Sequence, residues 1–410
     1  MADNRTFVIV GAGLAGAKAA ETLRAEGFTG RVVLLGAEPD RPYERPPLSK
    51  GLLLGDAGRD SVFVHAADWY AAHDVDLRTA TTVTAVDRSG RSVRLASGET
   101  LGYDRLLLAT GAVPRALPVP GAGRALTLRT LADSRRIADA ARPGARIVVI
   151  GAGWIGLEVA AAARTRGAAV TVVEAGPVPL QRVLGDRIGG VFADLHRAHG
   201  VTFRFGARIE RVTGDGVVLA PGEGDGETLP ADAVVAGVGV TPDVALAEAA
   251  GLRTGDGVLV DDRLRTSDPD IFAAGDIARV EHPLFKTGVR VEHWATALNT
   301  GPAAARAMLG RDVSYDDLPY FFTDQYDLGM EYSGWIPPDA APEVVVRGDP
   351  AAREFLAFWL VGRRLVAGMS VNVGDVTETI QRLVRAGWQG STVDPARLAD
   401  GGVPLGDVTT

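Results

Sequence analysis

The sequence predicts an α/β protein that contains two similar modules built on parallel sheets, followed by a smaller α+β region. Three observations support this prediction. The segment FVIVGAGLAG at residues 7–16 is nearly repeated as IVVIGAGWIG at residues 147–156. Short continuous apolar runs alternate with alanine-rich amphipathic segments, which is typical of parallel strands covered on both faces. From about Pro319 the pattern changes to strands separated by turn residues.

Each module begins with a strand, a glycine turn, a helix and a second strand. The runs TFVIVG, RVVLLG and DRLLLATG predict strands in the first module, and ARIVVIG and AVTVVE predict strands in the second. We expect helices over 13–26 and 155–166. The stretches 92–112 and 216–240 also resemble each other, since each reads as a strand, a glycine turn, a second strand and a buried strand. The duplication therefore extends beyond the glycines.

The same patterns suggest three domains. The stretch VPRALPVPGAG (113–123) is rich in proline and glycine and is typical of a linker. We expect one discontinuous domain from residues 1–114 and 240–318, a second from 115–239, and a C-terminal α+β domain from 319–410. Within the last of these, the turns GDP and GRR separate strands in a meander, and VTETIQRLVRAGW predicts an amphipathic helix.

The glycine turns follow the spacing G-x-G-x-x-G. Their glycines are Gly11, Gly13 and Gly16 in the first copy and Gly151, Gly153 and Gly156 in the second. The first glycine permits a tight turn, the second lets the backbone approach a pyrophosphate, and the third lets the helix pack close to the strand. The pyrophosphate then lies at the helix N-terminus, where free N–H groups and the helix dipole favour an anion. Two Rossmann-like dinucleotide-binding domains are therefore expected.

An acidic residue ends the second strand of each module. Glu38 lies 22 residues after Gly16, and Glu174 lies 18 residues after Gly156. An acid about 20 residues beyond the glycines binds ribose hydroxyls in such domains. A carboxylate at Glu174 would repel a 2′-phosphate, and no arginine follows it closely, so NAD is favoured over NADP in the second site.

The absence of cysteine limits the redox chemistry. With no cysteine in 410 residues, the chain has no disulfide, no thiolate metal site and no iron–sulfur cluster of its own. Redox chemistry must then depend on an organic cofactor or a partner, which suggests FAD in one site and NAD(H) in the other. The first module is favoured for FAD, because ERPPLSK (44–50) and AAGDIA (273–278) would contact the far end of a long flavin nucleotide.

Composition and charge argue against several partners. The net charge is −8 and there is no run of Lys or Arg, so neither nucleic acid nor an anionic membrane surface is expected as a partner. No 18-residue apolar stretch predicts a membrane span. We therefore expect a cytoplasmic protein, and the sequence is compatible with a monomer.

Further motifs extend along the chain: GAGLAG, ERPPLSK, LLLATGA, GAGWIGLEVAA, TSDPDIFAAGD, VEHWATALNTG and FTDQYD. Together they resemble the FAD-dependent NADH:ferredoxin reductases of bacterial oxygenase systems, of the putidaredoxin reductase type, over essentially the whole chain. The glycine motifs and AGD are shared with the wider glutathione-reductase-like superfamily of flavoproteins. RPPLSK, EVAA and the Thr-Asp-Gln element are typical of a narrower group of these flavoproteins.

The resemblance implies roles for individual residues. The implied FAD contacts, besides the first glycine turn, are Ala15, Glu38, Lys50, Val83, Arg129, Asp276 and Trp294. The implied NAD contacts, besides the second glycine turn, are Glu174, Arg182, Gly239 and Glu292. Glu158 would lie under the nicotinamide and pair with Lys50, which makes Lys50 and Glu158 the predicted catalytic residues.

Ordinary structural roles remain open for several of these residues. Lys50 could be an ordinary surface lysine. Glu158 could stabilise the start of its helix through its charge, and Asp276 could cap a helix. Trp294 also fits an ordinary core aromatic, as does Phe322, which stands where the family often carries a tryptophan. A buried Lys–Glu pair is physically reasonable, because each desolvated charge requires the other.

Two histidines raise the question of a metal site. His196 and His199 are three residues apart on a predicted helix, but no third ligand is evident nearby. We expect a solvated helix face there and no bound metal.

The function that these observations predict is an NADH-dependent ferredoxin reductase. NADH would deliver a hydride to FAD, and single electrons would then pass to a small 2Fe–2S ferredoxin that supplies a cytochrome P-450 or a ring-hydroxylating dioxygenase. Two alternatives remain open. One is a redox-responsive NADH-binding flavoprotein of the apoptosis-inducing-factor type, and the other is an NADH oxidase without cysteine.

Overall fold

Two parallel sheets form the framework of the molecule, a computed structural model that describes residues 3–222 and 226–409. In spatial order, the first sheet contains Ile271–Ala273, Arg105–Leu108, Thr6–Val10, Arg31–Leu35 and Val75–Arg78. The second sheet contains Thr202–Arg204, Ala169–Val173, Arg146–Ile150 and Ala233–Ala236. Every pairing in both sheets is parallel, which agrees with the continuous apolar runs in the sequence.

A helix follows each glycine turn, as the sequence predicted. The first turn helix is Leu14–Ala25 and the second turn helix is Trp154–Thr165. The remaining α-helices of the described ranges are Gly51–Leu54, Trp69–Ala72, Leu131–Ala140, Gln181–Ala198, Ala245–Ala249, Trp294–Met308, Thr377–Trp388 and Pro395–Ala399. The short 3₁₀ helices are Pro46–Ser49, Arg59–Val62, Ala122–Arg124, Gly275–Ile277 and Leu405–Asp407.

A three-stranded antiparallel sheet accompanies each parallel sheet. In the first module its strands are Val83–Asp87, Ser92–Leu95 and Thr100–Gly102. In the second they are Ile209–Val212, Gly216–Leu219 and Thr228–Pro230. In both modules the third of these strands leads directly into a buried strand of the parallel sheet. The predicted duplication of the stretches 92–112 and 216–240 is therefore confirmed in three dimensions.

The chain leaves the first module and returns to it at one place. Ala112–Pro114 pairs antiparallel with Val240–Pro242, with Val240 opposite Pro114. After its return, the chain forms a four-stranded sheet and then contributes the edge strand Ile271–Ala273 to the first parallel sheet. The strands of that four-stranded sheet are Thr254–Gly255, Gly257–Val260, Ala278–His282 and Thr287–Val289.

A five-stranded antiparallel sheet, the C-terminal sheet, confirms the predicted meander. Its strands in spatial order are Tyr320–Gln325, Leu328–Gly334, Arg364–Val371, Glu354–Val361 and Glu343–Asp349. Side chains alternate between its two faces. Phe355 and Trp359 join the core of the second module, whereas Leu356 and Phe358 pack with the helix Thr377–Trp388. This alternation fixes the C-terminal sheet against the second turn helix.

The described part of the chain contains no helix that is both long enough and apolar enough to cross a membrane.

A close helix–helix contact depends on one glycine. The first turn helix packs on Trp294–Met308, and a Cβ added at Gly301 would lie 2.3 Å from the carbonyl oxygen of Ala15. Backbone cannot yield at that distance without moving one helix. A Cβ added at Gly190, which also lies inside a helix, would meet nothing within 4 Å.

We therefore expect opposite effects from two Gly→Ala substitutions. Gly301→Ala should lower the free energy of unfolding by about 1–3 kcal/mol through overpacking. Gly190→Ala should raise it by about 0.5–1 kcal/mol, because alanine restricts the unfolded chain and favours helix. Urea denaturation of both variants beside the unsubstituted protein measures these changes. Equal effects of the two substitutions would contradict the close contact at Gly301.

Candidate functional site

The first and third glycines of each turn are required by close backbone contacts. A Cβ at Gly11 would lie 2.1 Å from the carbonyl oxygen of Ala109, and one at Gly16 would lie 2.1 Å from the carbonyl oxygen of Gly11. Gly11 also has a φ of +114°, a conformation that L side chains rarely adopt. The second turn repeats this geometry, with Gly156 at 2.1 Å from the carbonyl oxygen of Gly151.

The middle glycine of each turn faces open space instead. A Cβ added at Gly13 or Gly153 would meet nothing within 4 Å. Each of these residues is the N-cap of a 12-residue helix, and neither helix has a side-chain cap for its first N–H groups. Free N–H donors and the positive end of the helix dipole thus face unfilled space, and such a site fits a pyrophosphate. Ala15 is buried in the first turn of its helix.

The two acids after the second strands are held differently. The Glu38 carboxylate accepts from the Tyr43 hydroxyl and, at 3.0 Å, from the Arg45 guanidinium. The Glu174 carboxylate accepts backbone N–H groups from Ala152 at 2.7 Å and from Gly176 at 2.8 Å. Because Ala152 lies inside the second glycine turn, Glu174 is tied directly to that turn. Both acids lie at the carboxyl end of their strands, where parallel sheets bind ligands.

A partly buried group of charges continues from Glu38 along the first module. Arg45 also donates to the backbone oxygen of Arg129, and the Arg129 guanidinium lies 3.3 Å from Asp276. Burial, and secondarily the neighbouring Arg45 charge, lowers the pKa of Arg129. Asp276 follows the edge strand Ile271–Ala273 of the first sheet. Arg129 and Asp276 were predicted site residues, whereas Arg45 was not, although Arg45 lies within the ERPPLSK motif.

The structure brings Lys50 and Glu158 together as a buried ion pair. The Lys50 ammonium lies 2.7 Å from one carboxylate oxygen of Glu158, and the side chains are 16% and 4% exposed. Glu158 also accepts hydrogen bonds from the hydroxyl groups of Ser49 and Thr323, the latter at 2.6 Å. Three donors therefore surround a desolvated carboxylate, which a buried anion requires to be stable.

Aromatic rings line the space beside this pair. The Lys50 ammonium lies 5.4 Å from the centroid of the Phe322 ring, which meets Trp294 edge to face at 6.0 Å. Within the described residues, two buried polar atoms nearby have no hydrogen-bond partner: Trp294 Nε1 and His293 Nδ1. Burial lowers the pKa of His293 to about 4. Orphaned polar atoms beside aromatic rings and a buried cation fit a large heteroaromatic ligand.

The other predicted contact residues lie in less distinctive surroundings. Val83 is buried at the start of its strand, and Gly239 adopts a φ of +94° just before the returning strand Val240–Pro242. Arg182 is exposed near the start of the helix Gln181–Ala198. Glu292 pairs with Arg290 at 2.8 Å. The structure thus brings Glu292 together with a neighbouring arginine.

One expectation from the sequence is wrong. His196 is not on a solvated helix face: its side chain is fully buried, and its Nε2 lies 2.8 Å from Gln325 Oε1. The reason is that the first hairpin of the C-terminal sheet covers this side of the helix Gln181–Ala198. His199 remains exposed, with its ring stacked on Tyr326 at 3.7 Å. In the described ranges, no group of three or more potential ligands is arranged to hold a metal.

Three side chains near the ion pair had no individual role predicted from the sequence: Ser49, Thr323 and Gln325. Gln325 donates to the Thr323 hydroxyl at 3.1 Å, and Thr323 donates to Glu158. A signal was present in FTDQYD, because the period of two in a strand puts Thr323 and Gln325 on one face and Asp324 on the other. Both inward residues are about 1% exposed.

The buried ion pair predicts a large cost for removing one charge. Lys50→Met should lower the free energy of unfolding by about 3 kcal/mol, because it leaves the Glu158 carboxylate desolvated without its counter-charge. Lys18→Met is the matched control, since Lys18 pairs with Glu21 at 2.7 Å on a more exposed surface. The control should cost less than about 1 kcal/mol. Urea denaturation at pH 7 measures both, and similar costs would contradict the burial of the Lys50–Glu158 pair.

The buried histidines predict an acid-sensitive fold. Burial lowers the pKa of His196 from 6.5 to about 4, so the native state excludes a proton that the unfolded chain binds below pH 6.5. The free energy of unfolding should therefore fall as the pH decreases from about 6.5 to about 4, by up to about 1.4 kcal/mol per pH unit for this residue. His196→Gln should reduce this dependence of the free energy of unfolding on pH. Urea denaturation between pH 7 and pH 4.5 tests it, and an unchanged slope in the variant would be the contrary result.

Two family matches cover nearly the whole chain. Residues 5–301 match the family described as pyridine nucleotide-disulphide oxidoreductase, and residues 320–409 match the family described as reductase C-terminal. The junction between the matches falls just before the first strand of the C-terminal sheet.

Individual relatives agree with these matches. The chain is 42% identical over 405 residues to the anthranilate 1,2-dioxygenase system ferredoxin–NAD(+) reductase component of Burkholderia cepacia, across 97% of this chain and 98% of the relative. It is 37% identical over 416 residues to putidaredoxin reductase of Pseudomonas putida, across 100% of this chain and 97% of the relative.

The solved structures give the same result. A chain in the crystal structure of the covalent putidaredoxin reductase–putidaredoxin complex matches with a TM-score of 0.92 and 36% identity, covering 99% of this chain and 98% of that one. The resemblance and the α/β fold class predicted from the motifs are thereby confirmed. The chain belongs to the pyridine nucleotide-disulphide oxidoreductases, and within them to the ferredoxin reductases of bacterial oxygenase systems.

Proposed function

We propose that this chain is an NADH-dependent ferredoxin reductase that carries FAD, uses NAD(H), and reduces a 2Fe–2S ferredoxin. The observation that carries the proposal is the Lys50–Glu158 pair, which joins the segment after the first glycine turn to the helix after the second. Two open glycine turns with a shared, desolvated charge pair between them fit two dinucleotides whose reactive rings meet there. Relatives named as ferredoxin–NAD(+) reductases support the same reaction.

We infer that residues 1–114 and 240–318 bind FAD, that 115–239 bind NAD(H), and that 319–410 form the C-terminal domain. The adjacent strands Ala112–Pro114 and Val240–Pro242 support the first two boundaries, because the chain leaves and re-enters the first module there. The start of the C-terminal sheet at Tyr320 supports the third. A cytoplasmic location agrees with a reductase that draws on NADH.

Individual residues then have distinct tasks. The Gly11–Gly16 turn, with Ala15, would bind the FAD pyrophosphate, and Glu38 and Val83 would bind its adenosine. Arg129 and Asp276 would hold the region between pyrophosphate and ring. The Gly151–Gly156 turn, Glu174, Arg182 and Gly239 would bind NAD(H), with Glu292 at its carboxamide. Arg45 would have a further task, as the partly buried cation that holds the Glu38 carboxylate in place.

The chemistry that FAD supplies when bound is acceptance of a hydride from NADH and release of electrons one at a time. The protein contributes position and electrostatics. Lys50 and Glu158 hold opposite charges at a fixed 2.7 Å separation where the two rings would meet. The Phe322 ring lies beside Lys50 and contacts Trp294, and the two rings would exclude water from this space once the cofactors are bound, which would strengthen each electrostatic interaction there.

The absence of cysteine separates this function from related ones. A disulfide reductase of the same family needs a redox-active cysteine beside its flavin, and this chain has none. Electrons must therefore leave for an external acceptor. Putidaredoxin in the matching complex and the dioxygenase system of the Burkholderia relative support a ferredoxin that in turn supplies a cytochrome P-450 or a ring-hydroxylating dioxygenase.

Cytochrome c reduction tests the proposal directly. With NADH as donor and the purified, FAD-loaded chain, we expect the rate of cytochrome c reduction to depend on added 2Fe–2S ferredoxin. The same reaction without ferredoxin is the control. A long-lived NADH-reduced complex that does not turn over with any ferredoxin would contradict the proposal and favour a redox-responsive flavoprotein.

A further inference from the structure

We propose that Thr323, Gln325 and His196 are positioning residues that hold the Glu158 carboxylate, and through it the Lys50 ammonium, in the orientation that flavin reduction requires. This inference rests on the proposed function. A continuous series of hydrogen-bonded side chains begins at the ion pair and ends at His196 in the second module. Its last hydrogen bond joins His196 to Gln325, which lies 129 residues further along the sequence.

Four hydrogen bonds form this chain. The Lys50 ammonium donates to Glu158 Oε1 at 2.7 Å, and the Thr323 hydroxyl donates to the same oxygen at 2.6 Å. Gln325 Nε2 donates to the Thr323 hydroxyl oxygen at 3.1 Å, and Gln325 Oε1 lies 2.8 Å from His196 Nε2. Glu158, Thr323, Gln325 and His196 are each 4% exposed or less. Water cannot readily replace any of these partners.

The direction of donation is fixed along the whole chain. Thr323 must donate its single proton to the Glu158 anion, because a carboxylate can only accept. Its oxygen then accepts from the Gln325 amide, which leaves the Gln325 carbonyl facing His196. His196 must therefore carry its proton on Nε2. The opposite tautomer would put a buried N–H at Nδ1, which has no partner in the described residues.

A chain with every donor directed at one anion strengthens each bond in it. Hydrogen bonds in series polarise one another in the same sense when they point the same way. Here the series ends on the carboxylate that faces Lys50, so it restrains the rotation of the Glu158 side chain. Its neutral histidine end adds no competing charge, since burial lowers the pKa of His196 to about 4.

The links come from different parts of the fold. Lys50 follows the 3₁₀ helix Pro46–Ser49, Glu158 lies on the second turn helix, and Thr323 and Gln325 lie on the first strand of the C-terminal sheet. His196 lies on the helix Gln181–Ala198. The C-terminal sheet thus contributes one polar side chain that contacts the ion pair, Thr323, and a second, Gln325, that supports it.

Substitutions at Thr323 test this role. Thr323→Val removes the donated hydrogen bond with almost no change in shape, whereas Thr323→Ser keeps the hydroxyl. We expect Thr323→Val to slow anaerobic flavin reduction by NADH about tenfold or more, since small misplacements of a reacting group have effects of this size. Thr323→Ser should restore the rate to within about twofold of the unsubstituted protein. Gln325→Met, which keeps length but removes both hydrogen bonds, should fall between them.

Two further measurements separate positioning from simple stability. The flavin midpoint potential should shift in Thr323→Val and return in Thr323→Ser, because the electrostatic surroundings of the ring change. Nitrogen NMR of the histidine-labelled protein should find the His196 proton on Nε2, and Gln325→Met should abolish that preference. Urea denaturation of each variant records the stability change on its own.

The outcomes are distinguishable. If Thr323→Val reduces its flavin at the unsubstituted rate and potential while losing only stability, the positioning role is overturned. A His196 proton on Nδ1 would overturn the proposed series of hydrogen bonds from His196 to Glu158. A flavin in the unsubstituted protein that NADH fails to reduce would instead contradict the proposed function.

Discussion

One desolvated carboxylate constrains the assembly of this molecule. Glu158 is 4% exposed and has hydroxyl and ammonium donors from Ser49, Lys50 and Thr323. A carboxylate buried without such donors would destabilise the fold by several kcal/mol. The donors come from segments more than 100 residues away on either side, so the site is complete only when both modules and the C-terminal sheet are in register. The same constraint explains why the C-terminal sheet packs on the second turn helix instead of forming a detached unit.

The duplicated modules show how the same motif acquires two different surroundings. Both acids that follow the glycine turns were expected to be equivalent, and both lie at the same edge of a parallel sheet. Glu38 is held by the side chains of Tyr43 and Arg45, whereas Glu174 is held by backbone N–H groups. Burial raises the pKa of Tyr43, which keeps its hydroxyl a donor to Glu38. The first acid is thus held by side chains, one of them charged, whereas the second is held by the backbone of its own module.

Local features could be predicted from the sequence, and long-range ones could not. The strands, the turn helices and the meander follow from periodicity and from glycines whose missing side chains admit backbone contacts, as at Gly11 and Gly156. The Lys50–Glu158 pair was expected only through resemblance, since no pattern links residues 108 apart. Thr323 and Gln325 follow from strand alternation only after one knows which element covers that face. His196 was misjudged for this reason: a helical period identifies faces but does not say which of them a later hairpin will cover.

The pairing of Ala112–Pro114 with Val240–Pro242 has a consequence for how such a protein can evolve. The two crossings between modules lie side by side, with Pro114 opposite Val240. The first parallel sheet takes strands from both sides of the excursion, from Arg105–Leu108 and from Ile271–Ala273. The intervening stretch is therefore a cassette whose ends nearly touch. If this stretch binds NAD(H), as proposed above, its exchange for a homologous one would change the nucleotide donor while leaving the strands of the first parallel sheet uninterrupted.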